Sequence, residues 1–327
     1  MTIPSVTIVM SPRERFSLTA HAIDSLYANT TPPFEFICID AGSSRHIARS
    51  LASQARERSF KLVRREHYLT PNQARNLALP GIASKYVVFV DNDTSFARGW
   101  LDHLLTCAEA TGADVVSPLI GIGEPAHTRV HFAGGDAVIT EEADGRHLQV
   151  VHRHQDKPLA GIRAQLSRGR SDFAEFHCML VRTSTINELG PLDESLKATA
   201  EHLDFCFAIR KRGGAIFFEP NSIVTFAGSD PVYKVWGPPL RFSDLPYFAL
   251  RWSDAWSIES ENHFHRKWNF VFSIDARAML EFCRQHSRVP WRGTSKVMLR
   301  IIGWQLTNRA LDLSNNLALR WAKRDLP

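Results

Sequence analysis

The five residues Tyr86-Val87-Val88-Phe89-Val90 are all apolar and run straight into Asp91-Asn92-Asp93. A strand with no polar alternation has to be covered on both faces, as the inner strands of a helix-flanked parallel sheet are. The neighbouring sequence supplies such a frame. Residues 6–10 form an apolar run that Ser11-Pro12 stops, and residues 16–27 show helical apolar spacing. A second strand is predicted over 34–39, ending at Asp40 before the turn Ala41-Gly42-Ser43-Ser44. A helical stretch and a strand over 60–63 follow. Residues 100–110 read as a helix stopped by Gly112, and 113–120 as the next strand. This alternation predicts an α/β fold with a mostly parallel sheet flanked by helices.

Between 121 and 170 the pattern dissolves into Gly, His and charged residues, which predicts a functional loop region or a lid. A strand is predicted over 176–181, a helix from Thr183, and a helix over 200–212 closed by Gly213-Gly214. Short strands over 215–218 and 222–226 follow. Beyond them Trp236, Trp252, Trp256, Trp268, Trp291, Trp304 and Trp321 mark a mainly helical, Trp-rich extension. The predicted units are therefore 1–232 and 233–327.

Charge and cysteines narrow the setting. The net charge is +5, yet eight Lys/Arg against two Asp/Glu fall from Gln285 onward, so the remainder is near neutral. This distribution argues against a uniformly basic nucleic-acid binder. The basic tail, 296–323, with Val297, Ile301, Trp304, Leu311 and Leu317, has three open roles: packing on the main unit, homodimerisation, or peripheral contact with a membrane surface. No apolar run approaches the roughly 20 residues that span a bilayer, and no signal peptide is readable at the start. The five cysteines are scattered without a CxxC pair, which predicts buried free thiols in a reducing cytoplasm, with the inner membrane face as a second location.

Four segments carry chemistry. Asp91 and Asp93, two residues apart at a strand's carboxyl end, can reach one cation where open α/β sheets bind ligands; Mg²⁺ or Mn²⁺ suits such hard oxygen donors. The alternative is a plain Asp/Asn turn. In Leu69-Thr70-Pro71-Asn72-Gln73-Ala74-Arg75-Asn76, Thr70 and Gln73 make a capping box with Pro71 at the first helical position. Free N–H groups and Arg75 there suit a diphosphate; the alternative is a plain capped helix with a surface Arg. Asp40 either accepts hydrogen bonds from a nucleobase or ribose, or closes an Asx-type turn; Ser11-Pro12-Arg13 lies at the same sheet edge. In Thr199-Ala200-Glu201-His202-Leu203-Asp204, Glu201 and Asp204 share a helix face. They are either dipole-stabilised acids or a general base. His263 and His265 could add a metal ligand but read better as packed or exposed. His127, His131, His147, His152 and His154 lack metal-site spacing and read as loop residues.

Taken in order, these segments resemble family 2 glycosyltransferases of the GT-A (Rossmann-like) fold, over roughly residues 4–230. The resemblance rests on 6–13, on Ile37-Cys38-Ile39-Asp40-Ala41-Gly42-Ser43, on 72–77, on the strand ending in Asp-Asn-Asp and on Ala133-Gly134-Gly135. It continues through Cys178-Met179-Leu180-Val181-Arg182, Leu189-Gly190-Pro191-Leu192-Asp193-Glu194 and the acidic helix. It implies an inverting, metal-dependent transferase that moves a sugar from a nucleotide-sugar donor to a hydroxyl of a saccharide or lipid-linked acceptor, in polysaccharide or glycoconjugate synthesis. Ser11, Pro12, Arg13, Asp40, Asn72, Arg75, Asp91 and Asn92 would hold the donor, and Asp91 and Asp93 the Mn²⁺ or Mg²⁺. Two departures stand out. The family's helix begins Glu-Asp, and the Asp commonly serves as base; here that position is His202, leaving Glu201 first, His202 second and Asp204 third as candidates. Phe226 lies where many members place a metal-binding His, so the ion would either keep only Asp91-Asn92-Asp93 and phosphate ligands or borrow His263 or His265. Two other functions stay open: a non-catalytic nucleotide- or glycan-binding module, and a sugar-phosphate nucleotidyltransferase, whose Gly-rich first loop is not visible at 11–16.

Overall fold

The structure, a computed structural model, describes residues 5–31, 33–230, 232–272 and 274–291, together with 306, 309–311, 313, 314, 316–323 and 326. Twelve strands are found among them: β1 (Val6–Ser11), β2 (Glu35–Ala41), β3 (Lys61–Arg65), β4 (Tyr86–Asp91), β5 (Thr94–Phe96), β6 (Val115–Ile122), β7 (Val130–Phe132), β8 (Gly135–Glu142), β9 (Gly145–His152), β10 (Gly169–Arg170), β11 (Cys178–Arg182) and β12 (Ile216–Phe226). The helices are α1 (Thr19–Asn29), α2 (Arg45–Arg58), α3 (Pro71–Ala78), α4 (Trp100–Thr111), the single turn α5 (Leu159–Ile162), α6 (Thr183–Leu189), α7 (Glu201–Lys211), α8 (Leu245–Arg251), α9 (Asp254–Trp268) and α10 (Ile274–Ser287).

The main sheet runs β10-β12-β6-β11-β4-β1-β2-β3, with β5 paired to β12 and β7 to β6. The strands β3, β2, β1 and β4 are parallel, as are β6 and β12. The inner strand β4 is buried along its whole length, as its apolar sequence requires. One inner strand, β11, runs against its neighbours: Cys178 pairs with Val90 and Leu180 with Val88 on one side, Leu180 with Val116 on the other. This reversal brings the entrance of β11, at His177, beside the carboxyl end of β4, where the His177 carbonyl accepts the Asp91 N–H at 3.3 Å.

Local chemistry sets the ends of the helices as predicted. At α3, Thr70 Oγ1 accepts from the Gln73 N–H and Gln73 Oε1 accepts from the Thr70 N–H at 3.0 Å, closing the capping box in front of Pro71. Gly112, at φ +67°, ends α4. All five cysteines are buried and free.

The region 121–170 departs from the loop or lid expected for it. It contains β7, and β8 and β9 form a full hairpin from Gly135↔His152 to Glu142↔Gly145. The last five residues of β8 are exposed, so neither face of that strand carries an apolar stripe and the period-2 signal is missing. The hairpin is anchored at its turn: Arg146 Nη1 donates to the Trp268 carbonyl at 3.0 Å and the Arg146 carbonyl accepts from the Val271 N–H at 2.8 Å. The two short strands expected before Ala227 are one strand, β12, with an irregularity between Glu219 and Ile223.

The helices after residue 232 pack on the sheet unit through named contacts. The Tyr247 hydroxyl donates to the Leu69 carbonyl at 2.7 Å, and Trp252 Nε1 to Glu14 Oε2 at 2.7 Å. Trp268 and Phe264 lie against Phe207, at 5.4 and 5.8 Å between ring centres. In the tail, Leu311 and Ala322 are buried, whereas Leu313 and Leu317 are exposed and Trp321 lies 5.7 Å from Phe242. Lys296, Val297, Ile301 and Trp304 lie outside the described residues. No helix among the described residues is long and apolar enough to cross a membrane.

Candidate functional site

Parallel strands direct their carboxyl ends to one edge, and there β1, β2 and β4 deliver Ser11, Asp40 and Asp91. Asp91 is fully buried and is met by two arginines and a histidine. Arg75 Nη2 donates to its Oδ1 at 3.3 Å, while His177 Nδ1 lies 2.9 Å and Arg13 Nη1 3.6 Å from its Oδ2. Burial by itself would raise this carboxyl, but His177, Arg13 and Arg75 outweigh it and hold it below its ordinary value. Arg75 is positioned by the capped start of α3: Nη1 donates to Asn72 Oδ1 at 3.1 Å, and the guanidinium stacks over Phe176 at 3.9 Å. Arg13, beside Asp91, Glu14, Glu201 and Asp93, has its pKa driven up against the opposing effect of burial.

Asp93 has the opposite surroundings. It is 3% exposed, and neither of its carboxylate oxygens has a hydrogen-bond partner. Burial, then the charges of Glu14 and Asp91, push its carboxyl up to about 7. A buried, unpartnered carboxylate is a costly arrangement that a bound cation relieves. Mg²⁺ and Mn²⁺ sites of this class use one or two protein carboxylates and leave the remaining positions to phosphate oxygens and water. The donor set at Asp93 therefore fits such an ion. The hydroxyl of Ser11, also buried, is unpartnered as well.

The other nucleotide-side candidates divide. Asn92 is engaged by the chain that follows β1: its Oδ1 accepts from the Arg13 N–H at 2.9 Å, and its Nδ2 donates to Thr19 Oγ1 at 2.8 Å and to the Arg15 carbonyl at 3.2 Å. It fixes the Pro12–Arg13 turn. Asn72 spans from Arg75 to the Asp193 carbonyl, to which its Nδ2 donates at 2.9 Å. Asp40 closes the Asx-type turn, accepting from Ser43 Oγ at 2.9 Å and the Ser43 N–H at 3.3 Å, and pairs with Arg64. Gly42 in that turn sits at φ +81°, and a Cβ there would fall 2.6 Å from Tyr68, so only glycine fits.

The three base candidates on α7 are also unequal. Glu201 is buried, and Arg251 Nη2 from α8 donates to its Oε1 at 3.3 Å; burial raises its carboxyl, but Arg251 and Arg75 bring it below the usual range. Asp204 accepts from Trp268 Nε1 at 2.8 Å and from Lys267 Nζ at 2.9 Å, which ties α7 to the end of α9. His202 is half-buried, its ring 5.9 Å from that of Phe173, and no described residue hydrogen-bonds it. Burial holds its pKa down to about 4, so the imidazole is neutral.

The late histidines are not brought to Asp93. His263 Nε2 lies 2.9 Å from Asp193 Oδ2, and His265 Nδ1 2.8 Å from the Glu261 carbonyl. Among the described residues, the His, Cys, Asp and Glu groups that converge closely enough to share an ion do not include either one. Phe226 instead stacks on His177, at 3.8 Å and 13°.

Sequence reasoning passed over His177, Glu175, Arg251 and Glu14. Glu175-Phe176-His177 stands directly before a predicted strand, but only the antiparallel placement of β11 puts that end next to Asp91. Arg251 and Trp252 reach the site from the helical extension, across 50 residues to Glu201 and 238 to Glu14.

Comparison with known proteins agrees with this geometry. Residues 7–188 match the family described as Glycosyl transferase family 2. The pre-mycofactocin glycosyltransferase of Mycobacterium tuberculosis is 25% identical over 166 residues, which is 50% of this chain and 32% of that protein. The chain thus spans about a third of the length of the curated relatives it matches. GalNAc-T7, solved with UDP, GalNAc and Mn²⁺, superposes with a TM-score of 0.55 at 16% identity, covering 94% of this chain and 58% of that one. The mannosyltransferase PcManGT of Pyrobaculum calidifontis, solved with GDP-Man and Mn²⁺, does so with 0.52 at 14%, covering 98% and 83%. At these identities the likeness is one of fold, and that fold is GT-A. A matching family region that covers more than half of the sequence, on a sheet of this topology, places the chain in glycosyl transferase family 2.

Proposed function

We propose that this protein is a metal-dependent, inverting glycosyltransferase that moves a sugar from a nucleotide-sugar donor to an acceptor hydroxyl. The observation that carries this reading is Asp93, a buried carboxylate with both oxygens unpartnered at the carboxyl end of β4. Asp93, with Asp91 beside it, would hold Mn²⁺ or Mg²⁺. When bound, such an ion offsets the charge that grows on the leaving diphosphate. Arg75 and Arg13 add fixed positive charge at the same edge, already oriented by Asn72, Phe176 and Asn92. Ser11 and, if it leaves Ser43 and Arg64, Asp40 would meet the nucleoside at this edge. The Mn²⁺ in the two solved relatives of this fold supports the choice of ion.

For the base, the contacts favour His202 over the first-placed candidate, Glu201. Arg251 neutralises Glu201, and Lys267 with Trp268 occupies Asp204, whereas the His202 imidazole is neutral and unengaged. His202 takes the proton of the acceptor hydroxyl as that oxygen attacks the anomeric carbon from the face opposite the leaving diphosphate. The catalytic unit is 1–232 and the extension 233–327. The extension's tail, through exposed Leu313, Leu317 and Trp321, contacts either a second copy or the surface of a membrane carrying a lipid-linked acceptor in polysaccharide or glycoconjugate synthesis.

The test is a panel of UDP-, GDP- and dTDP-sugars with Mn²⁺, read as release of nucleoside diphosphate, followed by the anomeric configuration of the product by NMR. Release with an inverted product supports the proposal. Binding of donors without release from any of them favours a non-catalytic module. His202→Ala should lower kcat by about 10²- to 10⁴-fold, the usual worth of a general base; normal turnover in this variant removes His202 from the role.

A further inference from the structure

Two histidines with no metal-site spacing in the sequence meet on one carboxylate in the fold. His131 comes from β7, His152 from the end of β9, and Glu175 from the segment entering β11. His152 Nε2 lies 2.9 Å from Glu175 Oε1, and His131 Nε2 lies 3.0 Å from Glu175 Oε2. The three donor groups lie within 4.8 Å of one another. The hairpin explains how the sequence hides this: pairing of Gly135 with His152 folds the end of β9 back toward the β7 segment it left.

We propose that His131, His152 and Glu175 form a second metal site, selective for a first-row transition ion such as Zn²⁺ or Co²⁺ and separate from the Asp93 site. Four observations support it. Two imidazole nitrogens and a carboxylate are a donor set for Zn²⁺, Co²⁺ or Mn²⁺, whereas Mg²⁺ prefers oxygen alone. Bonds of about 2.0–2.2 Å to a tetrahedral ion place adjacent donors about 3.3–3.6 Å apart, so the 2.9 and 3.0 Å separations, one to each Glu175 oxygen, need to open by only a few tenths of an ångström to admit it. Glu175 Oε2 has no aligned hydrogen bond despite the proximity of His131, so a direct N–H···O bond does not account for that contact. The rings are also held in place by packing: His152 lies edge-on to Phe132 and Phe173, at 5.6 and 5.2 Å, and His131 to Phe226 at 4.9 Å.

The surroundings differ from those of a closed structural site. Three protein ligands leave one coordination position open, and the His131 and His152 side chains are 16% and 20% exposed. One further imidazole, His177, stands between this cluster and the donor edge, with Nε2 3.9 Å from Glu175 Oε2 and Nδ1 2.9 Å from Asp91 Oδ2. An ion in the triad would therefore sit one ring away from Asp91. Phe226 stacks on His177 at 3.8 Å and lies edge-on to His131 at 4.9 Å, so it packs on both imidazoles.

The full chain, stripped with a chelator, is titrated with Co²⁺ and followed by its visible absorption, then back-titrated with Zn²⁺. The wild-type chain and Asp93→Asn should each take up one tight equivalent. His131→Ala, His152→Ala and Glu175→Gln should each lose at least about tenfold in affinity, since loss of even an outer-shell partner costs that much. A second measurement on the wild-type chain needs no variant: Zn²⁺ should protect His131 and His152 from diethylpyrocarbonate, read residue by residue by mass spectrometry. Absence of a tight equivalent in the wild-type chain, unchanged affinity in folded His131→Ala and His152→Ala variants, or no protection of these two residues would each overturn the site.

Discussion

Replacing Asp93 by Asn should inactivate the protein and at the same time stabilise it when no metal is present. The magnitude follows from the site. Burial with Glu14 and Asp91 nearby raises the Asp93 carboxyl from 3.8 to about 7. At about 1.4 kcal/mol per unit, keeping it ionised near pH 8 costs up to about 4 kcal/mol. A buried Asn amide loses about 1–3 kcal/mol of that through its own unsatisfied groups, leaving a net gain of about 1–3 kcal/mol. The sign with pH is fixed. A carboxyl raised in the folded state keeps its proton longer there than in the unfolded chain, so stability falls as pH rises from about 4 to about 7 and then levels. The advantage of Asp93→Asn should thus be larger near pH 8 than near pH 5, by about 2–3 kcal/mol. Chemical denaturation in EDTA at both pH values measures it. A variant less stable than wild type near pH 8, or with the same advantage at both, refutes the picture of a strained carboxylate kept for a cation.

Arg251→Met should destabilise by about 3–5 kcal/mol, because it leaves Glu201 buried without its partner; urea midpoints measure this, and a loss below about 1 kcal/mol would show that Glu201 does not depend on the pair. Thr70→Ala removes the cap of α3 and should cost about 1 kcal/mol in the same assay. Because this cap also orients Arg75, the variant should raise KM for the donor more than it lowers kcat. Gly42→Ala should be destabilising, from its positive φ and the contact with Tyr68, and a neutral thermal shift would contradict that geometry.

What could be read from the sequence was what local chemistry decides. The strand at 86–90 has no polar face, so its burial and the position of Asp91 followed directly; the capping box at Thr70 and the glycine stop at Gly112 need only neighbouring residues. The hairpin β8–β9 was hidden because its solvent-facing residues interrupt any alternation. The antiparallel course of β11 carried the larger consequence, since it brings His177 to Asp91 and Glu175 to His131 and His152. The state of the base candidates was equally out of reach: Arg251, Lys267 and Trp268, which occupy Glu201 and Asp204, lie 50 to 64 residues along the chain.

The most direct test is a crystal of the full chain grown with Mn²⁺ and either UDP or GDP, measured at the manganese absorption edge. An anomalous peak is expected at an Asp93 oxygen and against the diphosphate, with Arg75 and Arg13 at the same edge. A bound diphosphate with no manganese at Asp93, its carboxylate still unpartnered, would contradict that expectation.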